Sequence, residues 1–105
     1  MELSISNNNM ETKYLQEDIY YSRAIKNLNE GKLETALYNL TQSLFKLYEI
    51  YGFVENKEIA ATLHHLGHVN LLLNKYDDAE GYFYLTLSMK RNMYPKGHYS
   101  VNNTL

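Results

Sequence analysis

The sequence predicts an all-α chain of antiparallel helix-turn-helix repeats: about two repeats, then the start of a third. Three observations predict it. Apolar residues recur at three- and four-residue steps in four successive stretches, each closed by a turn residue. No stretch sustains the period-two alternation of a strand, and turn signals lie too far apart for a hairpin array. The chain also resembles itself when it is slid by 43 residues.

Each element has its own justification. Residues 1–11 are polar and include Asn7, Asn8 and Asn9, so they read as a disordered tail. From about Glu11 to Glu30, Tyr14, Ile19, Tyr20, Ala24, Asn27 and Leu28 mark a first helix. Gly31 can take the left-handed conformation that stops it. A second helix runs from Leu33 to about Tyr51, with Leu33, Ala36, Leu37, Leu40, Leu44, Leu47, Tyr48 and Tyr51 on its apolar face. After a loop at Gly52–Lys57, a third helix spans about Glu58–Leu73. Asn74 and Lys75 make the next turn. A fourth helix covers about Tyr76–Met93, with Asp77, Asp78 and Glu80 at its positive end and Lys90 and Arg91 at its negative end. Pro95 and Gly97 stop it, and Ser100–Leu105 reads as the first turns of a fifth.

The 43-residue shift places Tyr20 on Leu63, Ala24 on Gly67, Asn27 on Asn70 and Gly31 on Asn74. It also places Ala36 on Ala79, Leu40 on Phe83 and Leu44 on Leu87. Small residues therefore recur where two helices must approach closely, with larger apolar residues beside them. The repeat divides the chain into 12–56, 57–98 and a truncated 99–105.

Composition narrows the function. The 105 residues carry 10 basic and 12 acidic side chains, a formal net charge of −2, with no basic excess to attract a phosphate backbone. Nucleic acid is not an expected partner. The absence of cysteine removes disulfides, thiol catalysis and thiolate metal sites, and favours a reducing, cytoplasmic setting. The first residues lack the basic and apolar regions of a secretory signal. No apolar run approaches the roughly 18–20 residues that span a bilayer, so no membrane partner is expected. Eleven tyrosines supply apolar area together with hydroxyls that want partners, which suits helix packing and interfaces alike.

The residues that carry the repeat form a known pattern. Leu63, Leu66 and Gly67, a turn, then Tyr76, Ala79 and Phe83 resemble a tetratricopeptide repeat. The period exceeds the 34 residues or so of the ordinary repeat and is similar to the kinesin-light-chain type. The likeness is strong over 57–105 and weaker over 12–56. His64 and His65 stand where that family usually has two asparagines. Arg23 stands where the second copy has Leu66.

The resemblance implies a protein-interaction scaffold, with no enzyme activity and no cofactor. It implies a concave groove lined by the first helix of each repeat. The groove positions would be Asp18, Tyr21, Ser22, Ile25 and Asn29, then Ala61, His64, His65, His68 and Leu72. Their partner would be a peptide or protein segment. A clamp for a chaperone's C-terminal carboxylate needs Lys, Asn and Arg here, and Asp18, Tyr21, Ser22, His64 and His65 do not supply that set.

Three other readings weigh less. His64 and His68 are i,i+4 on one helix, with His65 beside them, a spacing that can bind metal. The cluster lacks the Glu of the H-E-x-x-H pattern and any Cys, so solvated groove histidines are expected and no metal site. Asp77, Asp78 and Glu80 are explained by their helix terminus rather than by acid–base catalysis. Tyr82, Leu85, Met89 and Met93 are expected on the uncovered side of the last hairpin, where residues 82–105 would stack on another copy or another array.

Overall fold

In the computed structural model, residues 10–93 form four helices. They are α1 (Met10–Asn29), α2 (Leu33–Tyr51), α3 (Lys57–Leu72) and α4 (Tyr76–Met93). Among the described residues every regular element is helical. The expected tail at 1–9 and the expected fifth helix lie outside the described residues. Met10 and Glu11, expected in that tail, belong to α1.

α1 packs antiparallel on α2 and α3 on α4, each pair joined by a three-residue connection, and α2 packs on α3. The two connections are built alike. Lys32 N–H donates to Asn27 O at 2.8 Å, and Gly31 N–H to Leu28 O at 3.1 Å. Forty-three residues on, Lys75 N–H donates to Asn70 O at 2.8 Å, and Asn74 N–H to Leu71 O at 3.0 Å. These are the paired bonds of a Schellman motif, which needs a left-handed residue at its centre. Gly31 takes φ 73° and Asn74 φ 62°. Asn is the residue that adopts this conformation most readily after Gly.

The helix joint between the hairpins is different. Gly52, at φ 78°, ends α2, and Asn56 caps α3 by accepting bonds from Glu58 N–H at 2.8 Å and Ile59 N–H at 3.1 Å. This cap starts α3 at Lys57, one residue before the expected start, and Leu73 is its C-cap rather than its last residue.

The core gathers Ala24 from α1, Ala36, Leu40, Leu44 and Leu47 from α2, and Ile59, Leu63, Leu66 and Val69 from α3. The small residues permit close approach, as the repeat implies. Ala24, Ala36 and Ala79 are buried, and a methyl group on Gly67 would lie 2.7 Å from Phe83 Cε1. Two buried hydroxyls are satisfied within their own helices: Thr62 donates to Glu58 O and Thr86 to Tyr82 O.

Among the described residues α3 packs along both α2 and α4, whereas α1 packs along α2. The sequence follows this difference. Leu66 and Val69 are fully buried, and their counterparts one repeat earlier, Arg23 and Lys26, are exposed. At the other end, Tyr82 and Met89 pack against the core, contrary to their expected place on an uncovered face. The exposed apolar residues there are Leu71, Tyr76, Tyr84 and Leu85.

Candidate functional site

The first helices of the two hairpins meet at one hydrogen bond. Tyr21 Oη of α1 lies 3.1 Å from His65 Nε2 of α3, with the two rings edge to face at 5.8 Å. Both side chains are half-buried. Burial pushes the Tyr21 hydroxyl above its ordinary range, and the Glu17 carboxylate adds to the shift. Burial also holds His65 below the usual imidazole value, with His68 a lesser cause. A neutral His65 ring protonated on Nδ1 accepts the tyrosine proton at Nε2.

Polar side chains extend this seam one turn back along α1. Ser43 Oγ, fully buried on α2, donates to Glu17 Oε2 at 2.8 Å. Glu17 has its pKa raised, first by burial, against the lowering effect of the Ser43 bond, and further by Asp18 and Glu58. Tyr14 and Tyr51 meet edge to face at 6.2 Å. Their hydrogen bond is the main reason Tyr51 is pushed up to about 12.

The histidines do not act as one face. His64 turns toward α4, with its ring 5.7 Å from that of Phe83. His65 turns toward α1, and His68 is exposed. His64 is held below the usual imidazole value by burial first, then by Lys90, His65 and His68. Its Nδ1 is buried and makes no hydrogen bond among the described residues. Among the described residues no three His, Asp or Glu side chains gather as metal ligands.

Of the ten expected groove residues, Tyr21 and His64 each contact His65, the first by a hydrogen bond and the second edge to face at 6.2 Å. Asp18, Ser22 and Asn29 are exposed on α1, where Ile25 is half-buried. Ala61, His68 and Leu72 are exposed on α3. Glu17, Ser43, Glu58 and Lys90 belong to the same neighbourhood and were not singled out by the repeat pattern. Glu17 is the exception that spacing could have found, since it lies four residues before Tyr21 on one helix face.

Beside His64 and His65 a cavity of about 440 Å³ opens between α3 and α4. Lys57, Glu58, Ala61 and the two histidines line it from α3, and Lys90 from α4. A second hollow of about 360 Å³, almost wholly apolar, lies over Leu71, Tyr76, Ala79, Phe83, Tyr84 and Leu87. No helix among the described residues is long and apolar enough to cross a membrane. No protein-family model matches the chain, and no curated protein or solved structure was found to match it.

Proposed function

We propose that the chain is a tetratricopeptide-like module of the kinesin-light-chain type, and that it binds a peptide or protein segment rather than catalysing a reaction. The observation that carries the repeat reading is the pair of matching turns. The same two hydrogen bonds recur 43 residues apart, around Gly31 and around Asn74. The helix packing order supports it too, since each helix lies against the next in the chain. Arg23 and Lys26 fit a terminal repeat with one solvated side. A cytoplasmic setting suits a chain without cysteine.

The binding surface is the side shared by α1 and α3, where Tyr21 and His65 join. Exposed Asp18, Ser22, Ala61 and His68 flank that joint and are free to contact an extended segment. Selection from a displayed peptide library tests this. Peptides selected by the native chain lose binding to a Ser22→Arg, Ala61→Arg, His68→Glu variant whose helicity is unchanged. Equal binding by that variant rejects the surface.

A second reading rests on the apolar hollow at Tyr76, Phe83 and Tyr84. It makes this end a stacking surface for another copy. Light scattering over a concentration range tests it, and a monomer at every concentration rejects it.

A further inference from the structure

The cavity between α3 and α4 holds an unusual balance of groups. Lys57 and Lys90 line it with His64 and His65, against the single carboxylate of Glu58. Lys90 is half-buried, and among the described residues neither it nor Lys57 forms an ion pair. A partly desolvated ammonium without a counter-charge is less favourable than a fully solvated one, and an anion placed beside it offsets that cost.

We propose that this cavity is a binding site for a carboxylate, supplied by an acidic side chain of the partner segment. The partner clause rests on the peptide-binding reading above; the site itself does not. Its volume of about 440 Å³ lies within the range of ligand pockets and readily admits an acidic side chain. Glu58 on the same wall disfavours a doubly charged phosphate more than a singly charged carboxylate. Ala61 offers no side chain beyond its methyl group, so the approach beside His64 and His65 stays open. Glu17, Asp18 and Glu58 along the same side would repel a run of acids, so a single acid among neutral residues is the matching partner.

The site also couples binding to protons. The charged groups facing His64 and His65 are Lys57, Glu58 and His68 on α3 and Lys90 on α4, with Tyr21 of α1 against His65 and Tyr51 of α2 near Glu58. Burial depresses the affinity of both imidazoles for protons, and of Lys90 as well. A bound carboxylate favours the protonated rings and raises their pKa. Affinity therefore climbs as pH falls from the bound-state value toward the free-state value.

The test is an NMR titration of the full chain, read at the ring resonances of His64 and His65. The probes are acetate, phosphate, and a blocked pentapeptide with one central glutamate among alanines, beside its glutamine analogue. Acetate and the glutamate peptide are expected to raise both histidine pKa values, and the glutamate peptide to bind about tenfold tighter at pH 5.5 than at pH 7.5. Lys90→Met keeps the aliphatic stem and is expected to weaken binding about tenfold. Lys57→Gln, at an exposed position, is expected to weaken it about threefold with helicity unchanged. The site is rejected if acetate leaves the rings unmoved, if phosphate binds more tightly than acetate, or if both lysine variants titrate as the native chain does. Equal binding of the glutamate and glutamine peptides rejects the acidic partner and leaves the peptide surface standing. Acetate binding with no peptide binding rejects the peptide surface and leaves the carboxylate site.

Discussion

Tyr21 and His65, 44 residues apart in the chain, are joined by a hydrogen bond of 3.1 Å that ties the first helix of one hairpin to the first helix of the next. The hairpins otherwise meet through α2 and α3. The bond therefore bears on the angle between them, and on the shape of the surface that α1 and α3 share.

Tyr21→Phe removes this bond and keeps the ring. The expected loss is about 1 kcal/mol of stability, read by urea denaturation. In a double-mutant cycle with His65→Gln, the two losses should add up to more than the double variant loses. Strict additivity would show that the two side chains do not interact.

Gly67 of α3 lies directly against the ring of Phe83 in α4. Gly67→Ala sets two effects against each other. Alanine gains about 1 kcal/mol of helix propensity, but its methyl group meets the Phe83 ring at 2.7 Å. Overpacking of this kind costs about 1–3 kcal/mol, so net destabilisation is expected. In a Phe83→Leu background the clash is relieved, and Gly67→Ala becomes neutral or stabilising. Paired thermal denaturation curves read this change of sign.

The two turns give a test of the repeat itself. Nothing lies within 4 Å of a methyl group placed on Gly31, so Gly31→Ala isolates the backbone term. It should cost about 1–2 kcal/mol, the penalty of left-handed φ for an ordinary side chain. Asn74→Ala should lose stability in the same sense by a smaller amount, and Asn74→Gly should lose least, since it keeps the left-handed turn and gives up only the exposed bond that Asn74 Oδ1 accepts from Tyr76. Urea midpoints of the three variants check the ranking.

Acid should weaken the fold through His64 and His65. Their folded pKa values lie below the ordinary 6.5, so folding favours the neutral rings. The stability they contribute is present above 6.5 and lost as pH falls from there toward the folded values. Melting temperature should drop over that window, and a His64→Gln, His65→Gln variant should flatten the drop. Glu17 acts in the opposite sense. Its pKa is raised above 4.5, so its contribution is present below 4.5 and lost as pH rises through the folded value. Glu17→Gln keeps an acceptor for Ser43 and should raise the melting temperature at pH 7 while leaving it unchanged at pH 3.5.

Local signals carried most of the fold. The 3.6-residue periodicity located all four helices to within a residue or so, because an apolar stripe must face a neighbour wherever a short helix is stable. The repeat located the turns, and Gly31 and Asn74 proved to be equivalent down to their hydrogen bonds. The candidate site was less legible. Spacing placed His64, His65 and His68 together, yet their rings point to α4, to α1 and to solvent. Helical spacing gives the direction in which a side chain leaves its helix, not which neighbouring helix it meets. Tyr82 and Met89 were placed on an uncovered face for the same reason, and they pack against the core instead.

The sequence by itself determined the helices, their ends and the 43-residue register, since each follows from side-chain pattern and backbone preference over a few residues. Only the tertiary structure decided that Tyr21 meets His65, that Ser43 reaches Glu17, and that Lys90 stands half-buried without an ion partner among the described residues. Those pairings join residues from different helices. They depend on how the helices are set against each other in space, which packing of the whole core decides and no local stretch encodes.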